Sequence, residues 1–353
     1  MTLLEILGID MPLIQAPMAG VSSPALAAAV ANAGALGSIG VGATDAAGAR
    51  RMIEAVRERS SRSLNVNVFC HQPAKADAKI DSAWIAHLRP YFEQFGAQPP
   101  ARLDEIYRSF LTDNDMLAVL LRTQPKVVSF HFGLPSPQRI RALREAGIVL
   151  LASATNLSEA RAAAAAGVQA IVAQGYEAGG HRGIVDPAAP DDALSTSVLT
   201  RLLVRELPLP VIAAGGIMDG AGIAAMLRLG ASAAQLGTAF IPCLESDADA
   251  YFRQALASAA AQHTVMTRAI SGRPARCLSN AFTALGAPVP PERVPSYPLA
   301  YAAGKALNLA AKAAGNGGFG AQWAGQGAPL ARQGISAAEL VAALARELRA
   351  AVD

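Results

Sequence analysis

The chain has 353 residues, of which 52% fall in the hydrophobic class and 16% are charged, with a formal net charge of +3. Such a composition excludes a disordered chain. The charge is small and scattered, Arg50-Arg51 being its densest basic pair, and so excludes partners such as nucleic acid or an anionic membrane surface.

Met1-Thr2-Leu3-Leu4-Glu5 lacks the basic start and cleavage site of a signal peptide. Residues 24–43 carry no charge, but Pro24, Asn32, Gly34, Gly37, Ser38 and Gly40 interrupt them. They read as a helix, a glycine stop and a short strand rather than as a membrane span. That unit recurs. Ala25–Ala33, Gly34 and Leu36–Val41 form one copy, and Gln138–Ala146, Gly147 and Ile148–Leu151 another. Ser158–Ala166, Gly167 and Val168–Ala173 form a third, and Ala221–Leu229, Gly230 and Ser232–Leu236 a fourth. Glycine behind a helix supplies the left-handed cap that turns the chain into the next strand. Candidate strands begin near residues 12, 36, 64, 126, 148, 170, 210 and 232. Eight βα units predict an α/β fold of the TIM (β/α)8 barrel type. A doubly wound open sheet is the alternative; it would more often carry GxGxxG after its first strand, where this chain has Pro17-Met18-Ala19-Gly20.

Two stretches break the rhythm. His71–Pro125 contains helical patterns around Ser82–Phe95 and Leu103–Leu121. Residues 241–353 hold a helical stretch near Asp247–Ala261, then Gly/Pro-rich chain, then a closing helix over Ala337–Val352. The expected organisation is a barrel built from 1–75, 116–245 and 336–353, and a smaller, mainly helical cap built from 76–115 and 246–335.

Cys70, Cys243 and Cys277 are odd in number and far apart, without CxxC or zinc spacing. A reduced, cytoplasmic protein with no metal is expected. Cys70, beside His71, reads either as a thiolate nucleophile or as a small buried hydrophobe.

At the strand ends the richest segment is Gln174-Gly175-Tyr176-Glu177-Ala178-Gly179-Gly180-His181-Arg182-Gly183, directly after the apolar run Ala170–Ala173. Glycines let backbone N–H groups approach a phosphate or a flat ring, and one imidazole stands among them. A glycine-rich turn with a surface histidine is the plainer reading. Gly215-Gly216 and Gly237-Thr238 fall after the seventh and eighth strands, where barrels often bind phosphate. They serve either that purpose or tight turns alone. No Walker-type GxxxxGK[ST] occurs. A phosphate there, with the amides of Asn67 and Gln174 able to read a polar ring edge and Met18 against a ring face, suggests FMN. Asn67 could instead cap a turn. Tyr297, Tyr301 and Lys305 stand four apart. On a helix they form one donor-rich stripe suited to carboxylate or nitro oxygens, although an ordinary amphipathic helix gives the same spacing and Pro295 and Pro298 count against helix there.

Four segments, Gln15-Ala16-Pro17-Met18-Ala19-Gly20, Asn65-Val66-Asn67-Val68-Phe69, Ser129-Phe130-His131-Phe132-Gly133 and Gln174–Gly183, together resemble the nitronate monooxygenases of the bacterial class I type, long called 2-nitropropane dioxygenases. The resemblance spans nearly the whole chain. Its fourth segment is specific to a wider flavin superfamily that includes NADH-dependent quinone reductases and flavin-type enoyl-ACP reductases; the third, centred on His131, narrows it toward the monooxygenases. The resemblance implies an FMN-binding TIM barrel with a substrate-binding helical cap, no use of NAD(P)H, and oxidation of alkyl nitronates such as propionate 3-nitronate by O2 through a flavin semiquinone to a carbonyl compound and nitrite. By motif it makes Met18, Asn67, Gln174, Gly179, Gly180, Gly216, Gln235, Leu236, Gly237 and Thr238 flavin contacts. It makes His181 the catalytic residue, a base toward nitroalkanes, with His131, Tyr107, Tyr297, Tyr301 and Lys305 around the substrate. The expected partners are the small-molecule nitronate and O2, for a monomer or homodimer. An NAD(P)H-dependent flavin reductase of quinones or enoyl thioesters, and a non-catalytic flavin-binding regulator, are the alternatives.

Overall fold

Each apolar run is a strand, and all eight join one parallel sheet in the computed structural model, which describes residues 1–352. The strands are Leu13–Gln15, Gly37–Gly40, Leu64–Phe69, Val127–His131, Val149–Ala154, Ala170–Gln174, Val211–Ala214 and Ala233–Leu236. The first strand pairs with the eighth, Leu13 opposite Ala234. The sheet then closes on itself through an Ile14–Leu36 bridge, where Gln15 N–H donates to Leu36 O at 3.0 Å. It is a TIM barrel, not an open doubly wound sheet.

Local chemistry starts and stops the surrounding helices. Ser23, Asp45, Asp113, Ser136, Asn156, Ser195 and Asp219 are N-caps whose side chains accept a first-turn N–H. Behind the four repeated helices, Gly34, Gly147, Gly167 and Gly230 have φ of 92°, 77°, 91° and 102°, a region a Cβ disfavours.

Alternation along the strands sorts polar from apolar. In the third strand Val66 and Val68 face outward into the helix layer, while Asn65 and Asn67 are buried on the opposite face. Asn65 Nδ2 donates to Ser38 Oγ at 3.1 Å, and Ser38 N–H donates to Gln15 Oε1 at 2.9 Å. The barrel floor is apolar: Ile14, Leu36, Val127, Leu151 and Ile212 pack with Leu3 and Leu7 of a short N-terminal helix. The closing helix Ala337–Val352 returns to the barrel, where Leu340, Val341 and Leu344 pack with Leu26, Val30 and Ile223.

The remaining chain lies over the strands' C-terminal ends. Trp84, Leu88 and Phe92 of the Ala78–Gln94 helix pack with Ala303 and Leu307 of the Leu299–Ala313 helix and with Phe282 and Phe319. Three expectations need correction here. The helix expected over Leu103–Leu121 runs only Asn114–Thr123, because Asp113 caps it and Phe110 N–H is taken by Phe69 O at 2.8 Å. The helix expected near Asp247–Ala261 is shorter, Ala250–Leu256, followed by a 3-10 turn over Ala259–Gln262. Tyr297 precedes the helix meant to carry it with Tyr301 and Lys305, which begins at Leu299 after Pro298. The sequence reading also missed a small antiparallel sheet, Thr264–Thr267 and Ala275–Leu278, whose third strand is Gly180–His181.

Candidate active site

A cavity of about 580 Å³ opens between the strands' C-terminal ends and the cap. Of the candidate residues, His181, His131, Tyr107, Tyr297, Tyr301, Lys305, Met18, Asn67, Gln174, Gly179, Gly180, Gly216, Gln235, Gly237 and Thr238 all line it. Leu236 does not: its side chain is buried in the barrel wall with Leu13 and Leu26, and its carbonyl accepts from Ala16 N–H at 2.8 Å.

The glycine loop is pinned from several sides, which fixes the imidazole it carries. Arg182, wholly buried, forms a bidentate pair with Asp191 at 2.7 and 2.9 Å and donates to Gln174 O and Gly175 O. The Glu177 carboxylate accepts Thr196 N–H and Oγ–H at 2.8 and 2.9 Å, so it caps a helix rather than entering the cavity. Arg182 and Arg276 flank the Tyr176 ring at 5.5 and 4.8 Å. Of the loop's ionisable groups, His181 alone lines the cavity. Some glycines answer to protein backbone: a Cβ on Gly179 would stand 2.4 Å from Gly325 N.

His181 Nε2 lies 2.8 Å from Ser271 Oγ. Its ring sits among Trp323, Tyr297, Phe132 and Tyr301, with centroids 5.0, 5.5, 5.7 and 5.9 Å away. Burial, then the neighbouring His131 and Arg273, push its pKa down to about 3. His131 spends both ring nitrogens on protein, Nδ1 on Ser153 Oγ at 3.0 Å and Nε2 on His181 O at 3.3 Å. Burial lowers it to about 4.

Arg273 is the principal charge behind this wall. It is 3% exposed, makes no ion pair among the described residues, leaves Nε without a partner, and lies 4.3 Å from the Phe132 ring centroid. Burial lowers it to about 10, so it stays cationic at neutral pH. The phenols stay neutral: burial raises Tyr301 to about 12 and also lifts Tyr107 and Tyr297 well above the ordinary phenol range. Tyr301 Oη accepts from Trp323 Nε1 at 3.1 Å. Among the described residues Lys305 is the one lysine or arginine lining the cavity, its Nζ 4.9 Å from the Tyr107 ring centroid and 5.6 Å from that of Tyr301.

Several polar groups face the cavity with hydrogen-bonding capacity to spare. The backbone N–H groups of Gly216, Gly237 and Thr238 donate to no acceptor among the described residues. Gln235 has no side-chain partner, and Asn67 uses Nδ2 on Ser129 but leaves Oδ1 free. Gln174 is more committed, its Nε2 donating to His181 O at 2.9 Å and its Oε1 accepting Gly183 N–H at 2.7 Å. The helix after the seventh strand contributes nothing to an anion site, because Asp219 and Glu347 already occupy its N-terminus.

Ser271, Arg273, Trp323 and Phe132 escaped the sequence reading as site residues. Ser271, Arg273 and Trp323 lie in no patterned segment that points to the mouth, and the first two arrive with the unforeseen cap sheet. Phe132 directly follows the fourth strand, inside the Ser129–Gly133 segment, but its apolar ring carried no chemical signal of its own. Cys70 is buried with its thiol pKa pushed far up by burial, so it is a core residue and no nucleophile.

Fold and site define a class of protein: a TIM barrel with a roofed mouth, unpaired backbone N–H groups on the loops after the seventh and eighth strands, and a neutral histidine in an aromatic wall. The family model described as nitronate monooxygenase matches residues 1–347. A nitronate monooxygenase of Paraburkholderia phytofirmans is 62% identical over 99% of this chain and 96% of its own length. One from Pseudomonas aeruginosa is 53% identical over 98% of each chain. Among solved structures, the nitroalkane oxidase of Streptomyces ansochromogenes superposes with a TM-score of 0.91 at 40% identity, covering 98% of this chain and 97% of its own. The chain belongs to the nitronate monooxygenase family, which is flavin-dependent. No helix among the described residues is long and apolar enough to cross a membrane.

Proposed function

We propose that the protein oxidises alkyl nitronates, propionate 3-nitronate among them, with O2 at this barrel mouth, using FMN and releasing a carbonyl compound and nitrite. The observation that carries the reading is the convergence on one cavity of His181, Tyr301 and Lys305 with unpaired backbone donors on the opposite loops.

The residues present suit FMN. Gly216, Gly237 and Thr238 N–H groups would take the phosphate, Asn67 and Gln235 the polar edge of the ring, and Met18 a ring face. When bound, FMN supplies the electron exchange between substrate and O2 that no side chain here can perform.

The chain's own groups do the rest. Lys305 and the Tyr301 and Tyr107 phenols bind and orient an anionic substrate. Trp323, Phe132 and Tyr297 exclude water around His181, and the buried Arg273 guanidinium keeps the potential positive where negative charge gathers. His181, held neutral, is available to accept a proton, but its depressed basicity suits a substrate that arrives already deprotonated better than a neutral nitroalkane. The test is nitrite formation and oxygen uptake when the yellow protein meets propionate 3-nitronate in air. Turnover of both is expected, and absence of nitrite would remove the proposal.

A further inference from the structure

Ser271 is wholly buried beside His181, and its hydroxyl has three neighbours. Oγ lies 2.8 Å from His181 Nε2, 3.3 Å from the Arg273 carbonyl oxygen and 3.4 Å from Arg273 N. A hydroxyl has one proton and two lone pairs. The Arg273 N–H can only donate, so it takes a lone pair. The Arg273 carbonyl can only accept, and no other donor among the described residues reaches it. The serine proton therefore belongs on that carbonyl, which leaves one lone pair for Nε2, and Nε2 must carry hydrogen. Were the serine proton on Nε2 instead, a carbonyl in a residue only 3% exposed would stand without a partner, the costly outcome for a buried polar group.

We propose that Ser271 is a positioning residue that locks His181 as its Nε2–H tautomer and leaves Nδ1 as the bare, accepting nitrogen. Nδ1 makes no hydrogen bond to the described residues and is not among their buried unpartnered atoms, so it opens to the cavity that His181 lines. The aromatic neighbours at 5.0 to 5.9 Å restrain the ring. This inference rests on His181 working at the reacting site, as proposed above. A neutral nitroalkane would pass its Cα proton to Nδ1: the C–H bond breaks, its electron pair stays with the nitro group as nitronate, and the imidazolium keeps its Nε2–H on Ser271. An anionic nitronate needs no such transfer.

The test is long-range 1H–15N NMR of the flavin-loaded protein with 15N-labelled histidine, His181 being assigned through His181→Asn. Wild type is expected to show His181 with a protonated Nε2 and a bare Nδ1, and Ser271→Ala is expected to lose that single form to a mixture of both tautomers. In nitrite release from a neutral nitroalkane, kcat of Ser271→Ala should fall while KM holds. A wild-type spectrum with hydrogen on Nδ1 overturns the proposal whether or not the variant folds. So does a folded Ser271→Ala whose tautomer is unchanged. The tautomer is read without turnover, so a protein inactive on nitronates would refute the functional reading and leave this result standing.

Discussion

His131 Nε2 reaches the backbone carbonyl of His181 at 3.3 Å, so one histidine of the mouth holds the main chain that carries the other. The bond needs hydrogen on Nε2, and Nδ1 then accepts from Ser153 Oγ, 3.0 Å away. His131 stands in the cavity wall, but its ring nitrogens are spent on the glycine loop and on Ser153 of the fifth strand.

Neutral, buried imidazoles make the fold sensitive to acid. His71 and His131 are lowered to about 4 and His181 to about 3, chiefly by burial. In the unfolded chain histidine titrates near pH 6.5. Between those values the unfolded state binds more protons, so stability is complete above about pH 6.5 and declines as the pH falls toward 4. Thermal unfolding of the protein at pH 7 and pH 5 should show a clearly lower midpoint at pH 5. Equal midpoints would mean that these rings are not buried neutral.

Asp191→Asn leaves the wholly buried Arg182 guanidinium without its counter-charge. Removing one partner of a buried pair costs about 3 kcal/mol. Asp191 is itself 21% exposed, so we expect a loss at or somewhat below that figure in urea unfolding, together with weaker flavin retention as the loop loosens. No change in midpoint would show that Arg182 is content with its carbonyl partners alone.

Gly179→Ala places a methyl 2.4 Å from the backbone nitrogen of Gly325, which no rotamer can relieve. Overpacking of this kind costs about 1–3 kcal/mol. Lower thermal stability and reduced flavin content are the expected outcomes, and a wild-type melting curve would contradict the crowding argument.

Removing the ammonium with Lys305→Met should raise KM for an anionic nitronate about tenfold or more, as expected from losing about 1.5–3 kcal/mol of charged hydrogen bonding, with little change in kcat. Steady-state kinetics on propionate 3-nitronate decide this. An unaltered KM would put Lys305 outside the binding contact.

The eight strands were legible because each is a short apolar run, and those starting at Gly37, Val149, Ala170 and Ala233 also sit behind a glycine with a positive φ; both signals are local. The mouth was legible for the same reason, since barrel topology brings every strand end to one face. The cap was harder. Its four-residue strands carry too few alternations to stand out, and the pairing of Ala275–Leu278 with Gly180–His181 spans about a quarter of the chain. Ser271, Arg273 and Trp323 reach His181 only through such long-range contacts, so no spacing rule could place them. Tyr297 shows that a stripe can fail as helix and still converge, since it leads into the helix that carries Tyr301 and Lys305 and lines the same cavity.

The most direct test of flavin-mediated nitronate oxidation is anaerobic mixing of the yellow protein with propionate 3-nitronate and, separately, with NADH, followed by absorbance. The nitronate should change the flavin spectrum at once while NADH leaves it unaltered. Rapid bleaching by NADH with no response to the nitronate would contradict the account and assign the site to a nicotinamide-dependent reductase.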